Sequence, residues 1–361
     1  MKKFFVLILF SALFIDILDA CTTFVLRDSS NLIYGRNFDW DLGEGFIVIN
    51  RRGLIKKSFV QPGEKPAEWI SKYGSITFNQ IGINMPMGGM NEKGLVIAQM
   101  ALFGSKYPEE DSRPVVGGLE WIQYQLDISK SLSDVIENNK KIRIIPDIIT
   151  VHFLVCDSAG NVGIVEFLDG ETVIHKGKDI LVPVCSNGTY EKSMNDLKNY
   201  KGFGGEQEIP SEWNSVSNII AIAGTMVNNY SSAQGINIVD YGFNILDAVG
   251  TPARTQWSVI FDIKSEKIIF KSLQNRNIRE LYLNEFDFSC ESEIKMLDIQ
   301  KSNNTDIYNQ FITFSPEHYR EYKINLYKMY KDNVPGFPDI PDEVVDIEIQ
   351  QLLTNECEVN Q

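Results

Sequence analysis

An α+β sandwich is the fold class this sequence predicts: two antiparallel sheets packed face to face with helices outside. Three observations predict it. Strand pairs with short turn clusters open the chain at 21–40, recur at 151–168 and return at 255–273. Two pairs of amphipathic helical segments lie among them, at 118–139 and 215–249. The connections within the strand pairs are short, as antiparallel neighbours allow.

Residues 1–20 read as a signal peptide. Lys2 and Lys3 form a charged start, and 4–15 is an apolar run. That run is shorter than the roughly 20 residues needed to span a bilayer, so a cleaved leader is expected rather than a membrane helix. A cut after Ala20 leaves Cys21 as the first residue, with a thiol and an α-amine on one residue. Leu18-Asp19-Ala20-Cys21 also reads as a lipoprotein signal, in which Cys21 is lipidated. Asp19 fits that reading poorly.

The next stretch is Cys-Thr-Thr-Phe-Val-Leu-Arg at 21–27, then Tyr-Gly-Arg-Asn-Phe-Asp-Trp at 34–40. Asp28-Ser29-Ser30-Asn31 is a turn cluster between two apolar runs, so the two stretches are expected to pair as a hairpin. Centring the turn on Ser29 and Ser30 sets Cys21 opposite Phe38 and puts Arg36 and Asp39 beside it. The chemistry fits the placement. A nearby cation favours a thiolate and a neutral amine, a carboxylate can hold the donor in line, and the amine can move the thiol proton. Gly35 lets another group approach the second strand closely.

Further along, strands are expected at 46–50, 58–60 and 75–78, with a loop at 61–69. Residues 85–90 read as a methionine-rich flexible turn that either lines an acyl pocket or fills the core. A strand follows at 95–103. Apolar residues at Leu119, Ile122 and Leu126 predict a helix over 118–128, and Ser131 with Asp134 caps a second one to about 139. Strands at 151–156 and 162–168 flank Asp157-Ser158-Ala159-Gly160-Asn161, and 172–175 and 180–184 add two more. Ser215 or Ser217 caps a helix to about 228, and 241–249 is another. Strands at 255–263 and 267–273 turn about Lys264-Ser265-Glu266. Beyond Arg279 the chain turns acidic and proline-bearing, which suggests a peripheral C-terminal arm from about 290. One domain over 21–361 is expected.

The 361 residues carry a net charge of −14 with no basic run, which argues against nucleic acid. The histidines His152, His175 and His318 are scattered and no CxxC occurs, so neither a metal site nor a histidine triad is expected. Without Cys21 an even number of cysteines remains, and an exported chain permits disulfides among Cys156, Cys185, Cys290 and Cys357. Cys156 and Cys185 sit in apolar runs and read as small buried hydrophobes.

The Cys-Thr-Thr-Phe start and the Gly-Arg-Asn-Phe-Asp-Trp that follows resemble the choloylglycine hydrolase family, which holds bile salt hydrolases and penicillin V acylases. The resemblance continues at Met90-Asn91-Glu92-Lys93-Gly94-Leu95, Ser186-Asn187-Gly188-Thr189-Tyr190 and Arg254-Thr255-Gln256-Trp257-Ser258, covering 21 to about 280. It implies the four-layer αββα fold of N-terminal nucleophile hydrolases. It also implies hydrolysis of a linear N-acyl amide, with Cys21 as nucleophile, Arg36 and Asp39 beside it, and no cofactor. An oxyanion hole is implied at the Ala101 backbone amide and the Asn187 side chain; an ungapped match would instead select Ser186. Two departures stand out. Ala101 replaces an asparagine, which puts conjugated bile acids in doubt, and Asn218 stands where the family has an arginine. Arg254 either lends charge to the site or is a solvated strand end. The implied partner is a small-molecule amide, in a periplasmic or secreted protein without a stable membrane span; a homo-oligomer stays open. A non-catalytic lipidated binding protein and an acyltransferase are the alternatives.

Overall fold

The turn at 28–31 sets the centre of the molecule. In the computed structural model, which describes residues 21–60, 63–147, 149–303, 305–334 and 336–358, Asp28 Oδ1 accepts the backbone N–H groups of Ser30 and Asn31, both at 2.8 Å. That side-chain turn fixes the register of the strands it joins. The leader expected at 1–20 lies outside the described residues.

In chain order the elements are β1 (Thr22–Arg27), β2 (Leu32–Asp39), β3 (Phe46–Asn50), β4 (Ile55–Lys57), β5 (Glu68–Ile70), β6 (Ser75–Gly82), β7 (Met85–Asn91), β8 (Val96–Ala101) and β9 (Val115–Gly117). Next come α1 (Gly118–Ile128), α2 (Leu132–Asn139), β10 (Arg143–Ile145), β11 (Val151–Cys156), β12 (Val162–Leu168), β13 (Glu171–Lys176) and β14 (Val184–Cys185). The rest are α3 (Tyr190–Leu197), α4 (Val216–Asn229), α5 (Ile238–Val249), β15 (Thr255–Asp262), β16 (Lys267–Ser272), β17 (Arg279–Tyr282), β18 (Lys295–Asp298), β19 (Ile312–Thr313), α6 (Pro316–Asn333) and α7 (Asp342–Leu353).

Two large sheets result. One has the order β14-β1-β2-β15-β16-β17, the other β13-β12-β11-β8-β7-β6-β3-β18-β19. Helices α4 and α5 lie on the outer face of the first, and α1 on that of the second. The layering is αββα. Side chains from β1 and β2 cross between the sheets: Thr23 Oγ1 donates to Met100 Sδ at 3.2 Å, and Tyr34 Oη to the Leu154 carbonyl at 3.1 Å. Gly35 faces Phe24 across the hairpin, and a Cβ there would sit 2.3 Å from the Phe24 ring. That ring in turn packs towards Gly242 of α5.

Four expectations are corrected. The strand expected at 58–60 lies earlier, at Ile55–Lys57. Residues 85–90 are not a flexible turn but the inner strand β7, where glycines let neighbouring strands close in: a Cβ at Gly89 would lie 2.6 Å from the Ile76 carbonyl oxygen. The strand expected at 180–184 shrinks to Val184–Cys185, because Pro183 has no N–H to give a ladder. The segment beyond 290 is built into the fold rather than set apart. Its β18 pairs with β3, and α6 and α7 cover Val48 and Ile83 with Tyr319, Val345 and Ile349. Buried Lys323 of α6 pairs with Glu348 of α7 at 2.8 Å, and Cys290 is bonded to Cys357. Of the prolines that suggested an arm, Pro338 lies in the loop between α6 and α7, Pro341 directly precedes α7, and Pro335 is outside the described residues. Among the described residues no helix is long and apolar enough to cross a membrane.

Candidate active site

Cys21 directly precedes β1 and is buried, with its sulfur 3.7 Å from the Asp39 carbonyl oxygen. The β1–β2 register runs from Arg27 opposite Leu32 to Thr22 opposite Asn37. One further step sets Cys21 opposite Phe38. Strand alternation then gives Cys21, Thr23, Arg36 and Phe38 one shared face, the one turned to the second sheet.

Arg36 is buried there. Its Nη1 donates to the Met87 carbonyl of β7, its Nε and Nη2 are buried without a hydrogen-bond partner among the described residues, and its guanidinium carbon lies 5.7 Å from the Phe38 ring centre. Burial pulls its pKa below the ordinary arginine value; negative charge at Cys21, and then at Tyr34 and Asp39, opposes the shift. Phe38 is itself held by Trp257, stacked at 4.2 Å. Asp39 Oδ1 accepts the Thr255 hydroxyl, and the Thr255 oxygen accepts the Thr251 N–H at 2.8 Å. The carboxylate is thus tied to the start of β15.

The third strand of the site is β14. It pairs Thr23 with Cys185 and Phe24 with Val184. The strand ends at Cys185, and Ser186 and a bend at Asn187 follow it. Ser186 Oγ donates to the Cys21 carbonyl at 2.9 Å, which holds this turn against the start of β1. Ala101 ends β8, opposite Val151. The N–H and carbonyl of Val151 both go to the Tyr107 hydroxyl, at 2.9 and 3.1 Å. The pair is therefore not hydrogen-bonded across the ladder, and the Ala101 N–H points away from β11. It points to the side where β7 stops pairing with β8, beyond Gly88 and Ala98.

Arg254 stands at the rim. Its Nη2 is 2.8 Å from Asp41 Oδ1, and its carbonyl accepts the Trp40 N–H at 3.0 Å. Asn218, in the first turn of α4, donates to the Tyr200 hydroxyl at 3.0 Å and accepts the Asn214 N–H. Its side chain secures the loop before the helix and brings no cation. The hairpin thus puts Cys21 and Arg36 on one face, with the Asp39 carbonyl 3.7 Å from the Cys21 sulfur, while Arg254 and Asn218 have structural partners of their own. Sequence reasoning missed the Met87 carbonyl that holds Arg36 and the Thr255 hydroxyl that holds Asp39. Thr255 lies inside a stretch singled out for its resemblance; nothing local marks Met87.

Two antiparallel sheets inside two helical layers, with the hairpin at their centre, have the architecture of an N-terminal nucleophile hydrolase. A penicillin V acylase from Agrobacterium tumefaciens superposes with a TM-score of 0.69 at 24% identity, over 82% of this chain and 98% of that one. A variant of conjugated bile acid hydrolase from Clostridium perfringens gives 0.64 at 19% identity, over 79% and 98%. The family model of the choloylglycine hydrolases, linear amide C–N hydrolases, matches residues 21–225, and the chain belongs to that family. Penicillin V acylase of Pectobacterium atrosepticum is 26% identical over 315 residues, 75% of this chain and 82% of its own. Bile salt hydrolase/transferase of Bifidobacterium longum is 24% identical over 209 residues, 53% of this chain and 62% of its own.

Proposed function

We propose that this chain hydrolyses linear N-acyl amides with Cys21 as nucleophile, made the free N-terminus by removal of residues 1–20 in an exported protein. The observation that carries the reading is Cys21 on one sheet face with a buried arginine whose charge is met by a single carbonyl. A thiolate at Cys21 is the counter-charge that such a cation favours. The Cys290–Cys357 disulfide supports an oxidising compartment.

The Cys21 α-amine takes the thiol proton, and the sulfur attacks the substrate carbonyl carbon. The Asn187 amide and the Ala101 N–H donate to the oxyanion, with Arg36 stabilising the negative charge nearby. The protonated amine then gives its proton to the departing nitrogen, and the C–N bond breaks to leave a thioester. Water attacks the thioester, the amine takes a proton from it, and the carboxylate product leaves with the thiol restored. Asp39, tied to Thr255, keeps the end of β2 in place.

A phenoxyacetyl amide is the first substrate to test, since the relative aligned over 75% of this chain is named a penicillin V acylase; bile-acid and fatty-acyl amides complete the panel. Protein starting at Cys21 should turn over at least one, and Cys21→Ser should abolish most of that turnover while the fold survives. Wild-type turnover by Cys21→Ser would remove Cys21 as nucleophile. Intact mass showing lipid on Cys21 would replace the enzyme by a lipidated binding protein. The Bifidobacterium relative is named hydrolase/transferase, so added amines test whether the acyl group passes to nitrogen as well as to water.

A further inference from the structure

Behind the turn that carries Asn187 lies a buried polar cluster that the proposed mechanism does not use. His152, the second residue of β11, is fully buried. Its Nε2 is 2.8 Å from the Ser186 carbonyl oxygen and its Nδ1 is 3.1 Å from Glu166 Oε1 on β12. A carbonyl oxygen has no hydrogen to give, and neither has a carboxylate. Both ring nitrogens therefore donate, which only the imidazolium can do.

The surroundings fit a held charge. Glu166 is fully buried; its Oε1 also accepts the Tyr190 N–H at 2.8 Å, and its Oε2 lies 3.2 Å from His175 Nε2 on β13. The Cys185 sulfur of β14 is 3.8 Å from each ring nitrogen of His152. From β2, Tyr34 donates to the Leu154 carbonyl two residues along β11. Burial opposes charging His152, but Cys185 and Glu166 outweigh it and push the ring up to about 10. Burial likewise raises Glu166, yet the bonds and charges from His152, Tyr190 and His175 bring it below the ordinary carboxylate value.

The turn needs this support. β14 is two residues long, and Pro183 before it has no N–H. Past Cys185, Ser186 is held by its hydroxyl on the Cys21 carbonyl and by its own carbonyl on His152. We infer that His152 is a positioning residue: anchored by Glu166, it holds the Ser186 carbonyl and so sets Asn187 against Cys21. The inference rests on the reading of Cys21 as nucleophile.

The test uses protein that starts at Cys21, with His152→Gln and Glu166→Gln. His152→Gln should lower kcat about 10-fold or more, the effect of unseating one buried backbone acceptor, with KM within about twofold. Glu166→Gln keeps an acceptor but removes the charge, so burial is less well opposed and His152 should lose its proton at a lower pH than in wild type. Its kcat should stay within about threefold of wild type below that pH and fall about 10-fold further as pH rises through it. Wild type should show no such limb. A damaged fold would lower Tm in both variants without creating that limb.

Ring-nitrogen NMR gives a readout independent of activity. The chain has three histidines, so the His152 signal is the one missing from His152→Gln. It should report an imidazolium at pH 8 in wild type and titrate at a lower pH in Glu166→Gln. A neutral ring at pH 8 in wild type, parallel pH profiles, or a crystal structure of His152→Gln with Ser186 and Asn187 unmoved would each overturn the inference. If wild type cleaves no amide at all, the Cys21 reading has failed, and the NMR and crystal results still decide the role of His152 in holding the turn.

Discussion

Replacing Arg36 by methionine should separate catalytic power from stability. The change keeps most of the length of the side chain and removes its charge. Arg36 faces Thr23, two residues along from the position opposite Cys21. Diagonal Cβ atoms of this kind are about 7–8 Å apart, and the longer arginine side chain brings the charges to about 6 Å. At an effective dielectric of about 20 that separation is worth about 3 kcal/mol, or about two pKa units on the thiol. The midpoint of the Cys21 alkylation profile should therefore rise by about two pH units in Arg36→Met. At a pH below both midpoints alkylation should slow about 100-fold, and kcat should fall by a similar factor. Stability should move the other way or not at all. The arginine buries a charge with two unpaired nitrogens, and the desolvation cost released is several kcal/mol. The Met87 carbonyl left without its donor costs only about 1–3 kcal/mol. The assay pairs iodoacetamide alkylation across pH with thermal melting, both on protein that starts at Cys21. An unmoved alkylation midpoint would refute the electrostatic argument. A moved midpoint with a large drop in Tm would show that the variant had lost its fold rather than its charge.

Asn187→Ala should lower kcat about 100-fold with little change in KM, as for a lost oxyanion donor; Ser186→Ala, which removes only the bond to the Cys21 carbonyl, should cost far less. The reverse ranking in steady-state kinetics would move the oxyanion role to Ser186. Cys357→Ser opens a loop with a sequence separation of 67, for which chain entropy gives a loss of about 4 kcal/mol. Denaturant melts should show that loss, and dithiothreitol should destabilise wild type but not the variant. The imidazolium at His152 also makes stability depend on pH. Its folded value, about 10, is raised above the unfolded one of about 6.5, so its contribution is complete below pH 6.5 and is lost as pH rises through 10. Unfolding midpoints in urea between pH 7 and 10 should fall for wild type and fall less for His152→Gln.

Much of this arrangement was legible in the sequence because it is local. The turn at Asp28–Asn31 fixes a register by counting, and counting was enough to put Phe38 opposite Cys21. Helices α1 and α2 were readable to their ends from apolar spacing and the Ser131 cap, which accepts the Asp134 N–H as expected. What escaped depends on distant partners. A run of methionine, proline and glycine looks like a turn until neighbouring strands are known to press on Gly88 and Gly89. The acidic text after 290 hides α6 because its buried positions, Tyr319, Lys323, Leu326 and Tyr330, include a lysine that is tolerable inside only beside Glu348, 25 residues on. His152 reads as scattered in the sequence because its partners, Glu166 on β12 and Ser186 after β14, are distant along the chain.

The order of strands in the smaller sheet has a consequence for when the site comes into being. Cys21, Arg36 and Asp39 meet in a hairpin that closes over a short loop, among the quickest of pairings. The residues that finish the site arrive much later along the chain: Ser186 and Asn187 after β14, and Thr255 at the head of β15. Non-local pairings of this span form slowly, after the loop entropy has been met. A growing polypeptide therefore carries the cysteine hairpin for most of its synthesis without the turn and the threonine that surround it in the finished sheet. The completed site is a product of late folding, although its first residue is the first described residue of the chain.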